Sequence, residues 1–427
     1  MRRPREVYVV KMIPESPRET PVVAETDVLV CGGGIAGVAA ACWAARLGAR
    51  VMLLERYGFL GGLVTQSLVI TTPPLNNGFG AEVASRLESR GGYAIVANQS
   101  TDYAALRFHA IEPEMLKYEL GRMLTEAGVQ CRFHTYIVGG VVEDGALYAV
   151  LTESKAGRQA ICARVFVDAT GDADLCSQSG ASWAVPSVLP PTTLMFNMVG
   201  VDTDRVLAEI GNWSNLRTVV RQAVDRKELE FDLEITLDRG APGVFAQDLV
   251  YPGELNVWSG NLQGVDGLSP VEHTRAEFIC REHAMRLSAF LVGTVPGFEQ
   301  ARIEYTATLT GVRGTRVAQG DQAPTMDETL STVFPNTVSK PYADTPMRIP
   351  YGSLLPRGVE GLLVAGRCLS ASPDGIGMLR LIPPCFATGH SAGVAAGLAV
   401  RDGCSPRKVN ITRLQDEVAR SGMDLGL

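Results

Sequence analysis

Apolar residues along this chain follow two periodicities. Short continuous runs over 26–31, 50–54 and 362–365 read as strands covered on both faces. The first leads through glycines into an alanine-rich helix ending near Leu47, and a turn at Gly48 precedes the second. Helical spacing returns over 113–127, where Met115, Leu116, Leu120, Met123 and Leu124 share one face and Pro113 suits a helix start. A strand is expected over 129–133. Three further runs, 137–142, 147–152 and 160–167, turn at Asp144-Gly145 and Ala156-Gly157 and predict a three-stranded meander. Between about Ser182 and Asp344 the pattern changes. Trp183, Trp213 and Trp258 fall there, 194–199 and 230–236 alternate as strands do, and 270–291 predicts the one clear helix of the segment. Last comes a helix over 385–400, whose Gly389, Ala392, Gly393, Ala396 and Gly397 keep one side small enough to pack against a sheet or a ring.

Composition narrows the classes. At 427 residues the chain exceeds one typical domain of roughly 150 residues. Glycine is in excess at 45 residues, about a tenth of the chain against a usual ~7%, and ordinary apolar and charged contents exclude disorder. The net charge of −7 leaves no electrostatic footprint for nucleic acid or for an anionic membrane, so a small-molecule partner is expected. A homo-oligomer is compatible with these features. The nine cysteines form no CxxC pair and no Cys/His cluster at ligand spacing, which argues against a disulfide framework or a metal site and for a reducing cytoplasm. Lys11 and Pro14 interrupt the N-terminal apolar run, so no signal-peptide core is expected. The apolar stretch 392–400 is about half a bilayer span.

The first chemical signal is G-x-G-x-x-G at Gly32, Gly34 and Gly37, directly after a strand and opening a helix. Gly32 allows the tight turn, Gly34 lets backbone approach a pyrophosphate, and Gly37 lets helix and strand close up. The helix N-terminus favours the anion. Glu55 ends the second strand, where a carboxylate can accept from ribose hydroxyls and would repel a 2′-phosphate. This fingerprint serves both NAD and FAD. A second glycine pair, Gly61-Gly62, offers flat backbone for a ring system or polyol, for which an NAD unit has no obvious use.

Taken in order, ETDVLVCGGGIAGVAAACWAARLGARVMLLERYGFLGG, VFVDATGDADL and GLLVAGRCLSA resemble the FAD-dependent oxidoreductases of the glutathione-reductase superfamily. The topology implied is that of the fumarate reductase and ketosteroid dehydrogenase flavoproteins, and the chain is similar to the broad bacterial FAD-dependent oxidoreductase family. The resemblance implies an α/β chain: a Rossmann-like FAD-binding domain, with parallel sheet and meander, over 24–181 and 345–427. An α+β substrate domain is inserted over 182–344, and 1–23 is an N-terminal extension. It further implies FAD pyrophosphate on Gly32, Gly34, Ile35, Ala36 and Gly37, ribose on Glu55 beside Arg56, and adenine near Ile137 and Val138. Ala169, Thr170, Gly171 and Asp172 would close over the nucleotide. Gly61, Gly62 and Leu63 would line the ribityl and flavin, with Gly366 and Arg367 on the other side. In such flavoproteins the helix begun by Pro383, Pro384 and Cys385 aims at the flavin N1/C2=O edge. That end is expected to offer unpaired N–H groups and a dipole favouring hydride acceptance. No histidine follows Gly61-Gly62, so the FAD is expected to be noncovalent.

Candidates for chemistry are fewer. Arg313 and Arg316, three apart, could face one side of a turn and hold a substrate carboxylate, or could bridge domains as structural arginines. Arg380 stands before the flavin-facing helix as substrate clamp or proton donor. His390 reads as a hydrogen-bonded core histidine, Asp374 and Tyr305 are weaker candidates, and a helix N-terminus would lower the Cys385 thiol pKa. The reading is an FAD-dependent oxidoreductase moving a hydride between flavin N5 and a small organic substrate. A flavoprotein electron-transfer subunit, and a biosynthetic enzyme using FAD for monooxygenation or without redox change, are the alternatives.

Overall fold

The computed structural model describes residues 12–96, 107–187, 189–230, 235–238, 241–242 and 244–427. Val28–Cys31 (β1), Val51–Leu54 (β2), Gln130–Arg132 (β3), Val165–Asp168 (β4) and Leu362–Val364 (β5) form a parallel sheet in the order β5-β4-β1-β2-β3. Every residue of β1, β2, β4 and β5 is buried, which is why these strands are apolar without alternation. From β1 the chain runs to one side through β2 and β3, and β4 and β5 lie on the other. The order therefore reverses at β1, and a crevice opens beyond the carboxyl ends of β1 and β4, where open α/β sheets take their ligands.

The helix Ile35–Arg46 (α1) follows β1, and Pro113–Glu126 (α2) precedes β3. Glu112 caps α2 by accepting from the N–H groups of Glu114 and Met115, with Pro113 at its first position. Between β3 and β4, Tyr136–Glu143, Ala146–Ser154 and Gly157–Cys162 form the antiparallel meander. The expected third strand over 160–167 is two strands: the chain leaves the meander after Cys162 and enters the parallel sheet at Val165. Both halves are apolar, so the run shows no break. The junction is set by Asp27, whose carbonyl accepts from Arg164 and Val165. Val22–Glu25 adds a parallel strand beside 157–162, so the end of the expected extension is part of this sheet.

A second hydrophobic cluster, separate from the first, is built around Phe196, Trp213, Leu255, Leu287, Phe290 and Phe298. It lies under an antiparallel sheet of Val244–Asp248, Leu255–Ser259, Met195–Val199 and Arg302–Thr306. Among the described residues the segment has four α-helices where one was expected: Pro270–Thr294 (α3), and the shorter Thr203–Ile210, Leu216–Asp225 and Met326–Ser331. Of the strand expected over 230–236, residues 231–234 lie outside the described residues, and Ile235–Asp238 is a strand.

The chain ends on Ile382–Asp402 (α4), buried over almost its whole length, and Ile411–Arg420. The small side of α4 packs against α1, not against a sheet or a ring. A Cβ on Gly389 would lie 2.2 Å from the Ala36 carbonyl oxygen, and one on Gly393 2.3 Å from that of Ala40. The two helices touch backbone to backbone. No described helix is long and apolar enough to cross a membrane.

Candidate functional site

The crevice is lined from four loops, each at the end of a β-strand. In the first, Gly32 has φ +112°, and a Cβ there would sit 2.4 Å from the Ala169 carbonyl oxygen, so glycine is required twice over. A Cβ on Gly37 would overlap the Gly32 carbonyl oxygen at 1.8 Å. Gly34, in contrast, would meet only the Gly62 Cα at 3.8 Å, which leaves open space above the start of α1. Gly34 is the N-cap of α1, has no side-chain cap, and is followed by Ile35, Ala36 and Gly37, so the first-turn N–H groups are free for an anion.

The second loop follows β2. Glu55 is buried; its carboxylate accepts from the N–H of Gly33 at 2.7 Å and of Tyr57 at 2.9 Å. Burial raises its pKa, and these two N–H groups and Arg56 counter the rise in part. Gly61 donates its N–H to the Gly33 carbonyl at 2.9 Å, and Gly62, at φ +58°, lies on Gly34 just before Leu63. The glycine pair thus packs on the first loop and fixes its shape.

The third loop follows β4 and is organised by Asp168, a residue to which motif reading gave no role. Fully buried, it accepts from the Thr170 N–H at 3.0 Å, the Thr170 hydroxyl at 2.7 Å and the Cys176 N–H at 2.9 Å. An acid ending an apolar strand directly before small residues was the available signal. Asp172 lies beyond, against Arg367 at 3.3 Å and the Thr315 hydroxyl at 2.7 Å. Burial would raise its pKa, but Arg367 and Thr315 outweigh that and hold it below the usual value. Val138 lies beside this loop, at a register shift in the first meander strand; Gln178 binds the adjacent Ile137 carbonyl at 3.2 Å.

The fourth loop follows β5. Gly366 donates its N–H to the Thr388 hydroxyl of α4 at 3.1 Å, a second contact that motif reading missed. Arg367 and Arg380 meet here. The Arg367 Nη1 and Arg380 Nε are buried and have no hydrogen-bond partner in the protein. Burial first, then repulsion from Arg367, pull the Arg380 pKa down to about 10. It therefore stays a cation near neutral pH.

Three expectations change. Pro383 and Pro384 carry no N–H, so the α4 terminus presents its dipole and a single free N–H, that of Ile382, rather than a set of donors. Cys385 starts α4 with its Sγ near Gly366, yet burial pushes its pKa up to about 12 against the pull of Arg367 and Arg380. It therefore stays a protonated thiol near neutral pH. Arg313 and Arg316 do not converge. Arg316 ion-pairs with Asp174 at 2.5 Å and donates to the Asp172 carbonyl at 2.9 Å, whereas Arg313 donates to the Pro191 carbonyl and lies over Trp258. These are the contacts of struts. Asp374 is exposed near the start of a short helix, bonded to Ser372 and the Met326 N–H. Tyr305 holds Asn197 at 3.0 Å on the second sheet. His390 is buried, stacked on Trp43 at 4.6 Å; it accepts from the Phe79 N–H and bonds the Ser421 hydroxyl. Burial drives its pKa down to about 3. Among the described residues no group of His, Cys, Asp and Glu is arranged to hold a metal, and all nine cysteines are free.

A topological crevice with a glycine-rich first loop and an acid ending the second strand defines a dinucleotide-binding α/β fold. The chain belongs to the FAD dependent oxidoreductase family, whose sequence model matches residues 27–344 and 335–418. It is an enzyme and FAD is its cofactor. No curated protein matches in sequence. Among solved structures it is similar to a geranylgeranyl bacteriochlorophyll reductase-like protein from Thermoplasma acidophilum, with TM-score 0.51 and 15% identity over 94% of this chain and 84% of the other. It is similar also to an anhydrotetracycline hydroxylase from Streptomyces rimosus, with TM-score 0.50 and 12% identity over 92% and 65% of the two chains. At these identities the likeness is one of fold. The residues present fit the cofactor on two observations: the unfilled space over Gly34, and the partnerless guanidinium atoms of Arg367 and Arg380.

Proposed function

We propose that this enzyme transfers a hydride between N5 of noncovalently bound FAD and a small organic substrate held between the FAD-binding unit and the segment 182–344. Bound FAD would supply the hydride acceptor or donor, and negative charge gathers on it when it is reduced. The chain's own residues bind and orient. Gly32, Gly34, Ile35, Ala36 and Gly37 hold the pyrophosphate; Glu55 with Arg56 holds the ribose, and Val138 borders the adenine. Ala169, Thr170, Gly171 and Asp172 close the nucleotide half; Gly61, Gly62, Leu63, Gly366, Arg367 and Cys385 line the rest.

The observation that carries the redox reading is the cationic corner of Arg367, Arg380 and the α4 N-terminus. Among the described residues Arg367 pairs with one acid, Asp172, and Arg380 with none, so the corner keeps an excess positive charge in a buried place. Such a fixed, desolvated charge favours an anion that develops beside it. Arg316 ties the segment 182–344 to the loop after β4 through Asp172 and Asp174, and Arg313 braces the segment internally at Pro191, instead of binding substrate.

Mixing the FAD-loaded enzyme with candidate substrates without oxygen tests the proposal. Bleaching of the flavin absorbance by a small molecule supports it. Bleaching only by a protein redox partner would assign an electron-transfer subunit, and product formation only with oxygen would assign a monooxygenase.

A further inference from the structure

The four strands of the second sheet each place one polar side chain in a single row. Gln247 stands opposite Asn256, Asn256 opposite Asn197 and Asn197 opposite Tyr305, so all four project from one face. Ala246, Val257 and Phe196, each one residue away, point to the other face and belong to the second hydrophobic cluster. The row is turned toward the FAD-binding unit. Asn256 donates to the carbonyl of Leu68, just past the turn that Gly61 and Gly62 begin, at 3.4 Å. Three residues beyond Tyr305, the N–H of Thr308 binds the Gln66 carbonyl of the same turn at 2.8 Å. Glu112, at the start of α2, acts by its charge on the Tyr305 hydroxyl together with Glu254 and Glu304. That hydroxyl therefore stands between the two units in a negative field.

The row has a direction, and Trp258 sets it. An indole N–H can only donate; it binds Asn256 Oδ1 at 3.0 Å, which turns the Asn256 Nδ2 to Asn197 Oδ1 at 2.9 Å. Asn197 Nδ2 in turn donates to the Tyr305 oxygen at 3.0 Å. Asn197 and Asn256 are buried, so this order is held away from water, whereas Tyr305 is 38% exposed. Its oxygen is taken as an acceptor, so its proton points out of the row, and no described residue accepts it. Burial first, then the charge of Glu304, push its pKa up to about 12 against the pull of Asn197, so the phenol keeps that proton near neutral pH. Water could serve a surface tyrosine from any angle; this row fixes one. Resting on the hydride-transfer reading above, we propose that Tyr305 donates a hydrogen bond to an uncharged carbonyl oxygen of the substrate, with Asn197 and Asn256 as positioning residues. A fixed donor selects an acceptor oxygen, and the carboxylates of Glu112, Glu254 and Glu304 select against an anionic one.

Fluorotyrosine labelling of the FAD-loaded enzyme gives each tyrosine a fluorine NMR signal, and Tyr305→Phe identifies the one from Tyr305. Acetophenone should move that signal, and benzoate, of similar shape but charged, should not. Tyr305→Phe should weaken acetophenone binding about tenfold, with FAD content and melting temperature as in wild type. Asn197→Asp sets a carboxylate against the phenol, takes its proton, and should weaken binding as much although the hydroxyl is kept. Acetophenone that leaves the Tyr305 signal in place, equal affinity in Tyr305→Phe, or tighter binding of benzoate would overturn the proposal. These measurements read binding and not reduction. Failure of the hydride-transfer reading alone would appear as acetophenone bound at Tyr305 in an enzyme whose flavin no small molecule bleaches.

Discussion

Replacing a glycine by alanine inside a helix ordinarily stabilises it by about 1 kcal/mol. Gly389→Ala on α4 should do the reverse. The new Cβ would lie 2.2 Å from the Ala36 carbonyl oxygen, 2.7 Å from its Cα and 2.8 Å from its carbonyl carbon, and ordinary contact begins near 3.4 Å. All three atoms are backbone, so no side chain can turn away, and the helices must part by about 1 Å. Overpacking of this kind costs about 1–3 kcal/mol; against the gain in helix propensity the net loss should be about 2 kcal/mol, toward the upper end of the range. Ala36 lies in the first turn of α1, on the pyrophosphate loop, so the displacement should also weaken FAD binding by roughly tenfold. Thermal unfolding with and without FAD, together with FAD titration by fluorescence, measures both effects. Gly121→Ala on α2, where the added Cβ meets nothing within 4 Å, is the matched control and should stabilise. A Gly389→Ala protein that melts at or above the wild-type temperature and binds FAD normally would refute the reasoning.

Other outcomes follow from the same contacts. Glu55→Gln should weaken FAD binding by about 10–100-fold through loss of a charge-assisted acceptor, read by equilibrium dialysis. Arg380→Gln should keep FAD but slow its anaerobic reduction by about a hundredfold and lower its potential, with Arg380→Lys restoring part of both, as stopped-flow and spectroelectrochemistry would show. His390 stays neutral down to about pH 3 when folded but takes up a proton near 6.5 when unfolded. Its contribution to stability is therefore complete above pH 6.5 and declines as the pH falls, by about 1.4 kcal/mol per pH unit; His390→Gln should remove that slope from denaturant titrations. Asp172 has its carboxyl held below 3.8, so its stabilising effect is present above that pH and fades in acid. Comparing wild type with Asp172→Asn across pH 2–6 isolates it.

The order of elements around the cofactor was legible because each local signal has one dominant cause. Short apolar runs bounded by turn residues read as covered strands, and a strand that runs into Gly32-x-Gly34-x-x-Gly37 and on to Glu55 has few uses besides holding a dinucleotide. Other features were illegible because their cause lies far away in sequence. The run 160–167 looked continuous, yet a carbonyl of Asp27 divides it between two sheets. The glycines of α4 announced a close approach without saying to what, and only packing showed that the partner is α1.

The sequence by itself determined a dinucleotide-binding α/β fold, since turn geometry, strand burial and an acidic strand end are properties of neighbouring residues, and family membership named the dinucleotide as FAD. The tertiary structure decided what charge does at the site. The Cys385 thiol is raised rather than lowered, and Arg316 is a strut rather than a clamp. Arg367 and Arg380 stand together with donors left over. Burial and the distance between charges set these properties, and both depend on segments that meet only after the chain has folded.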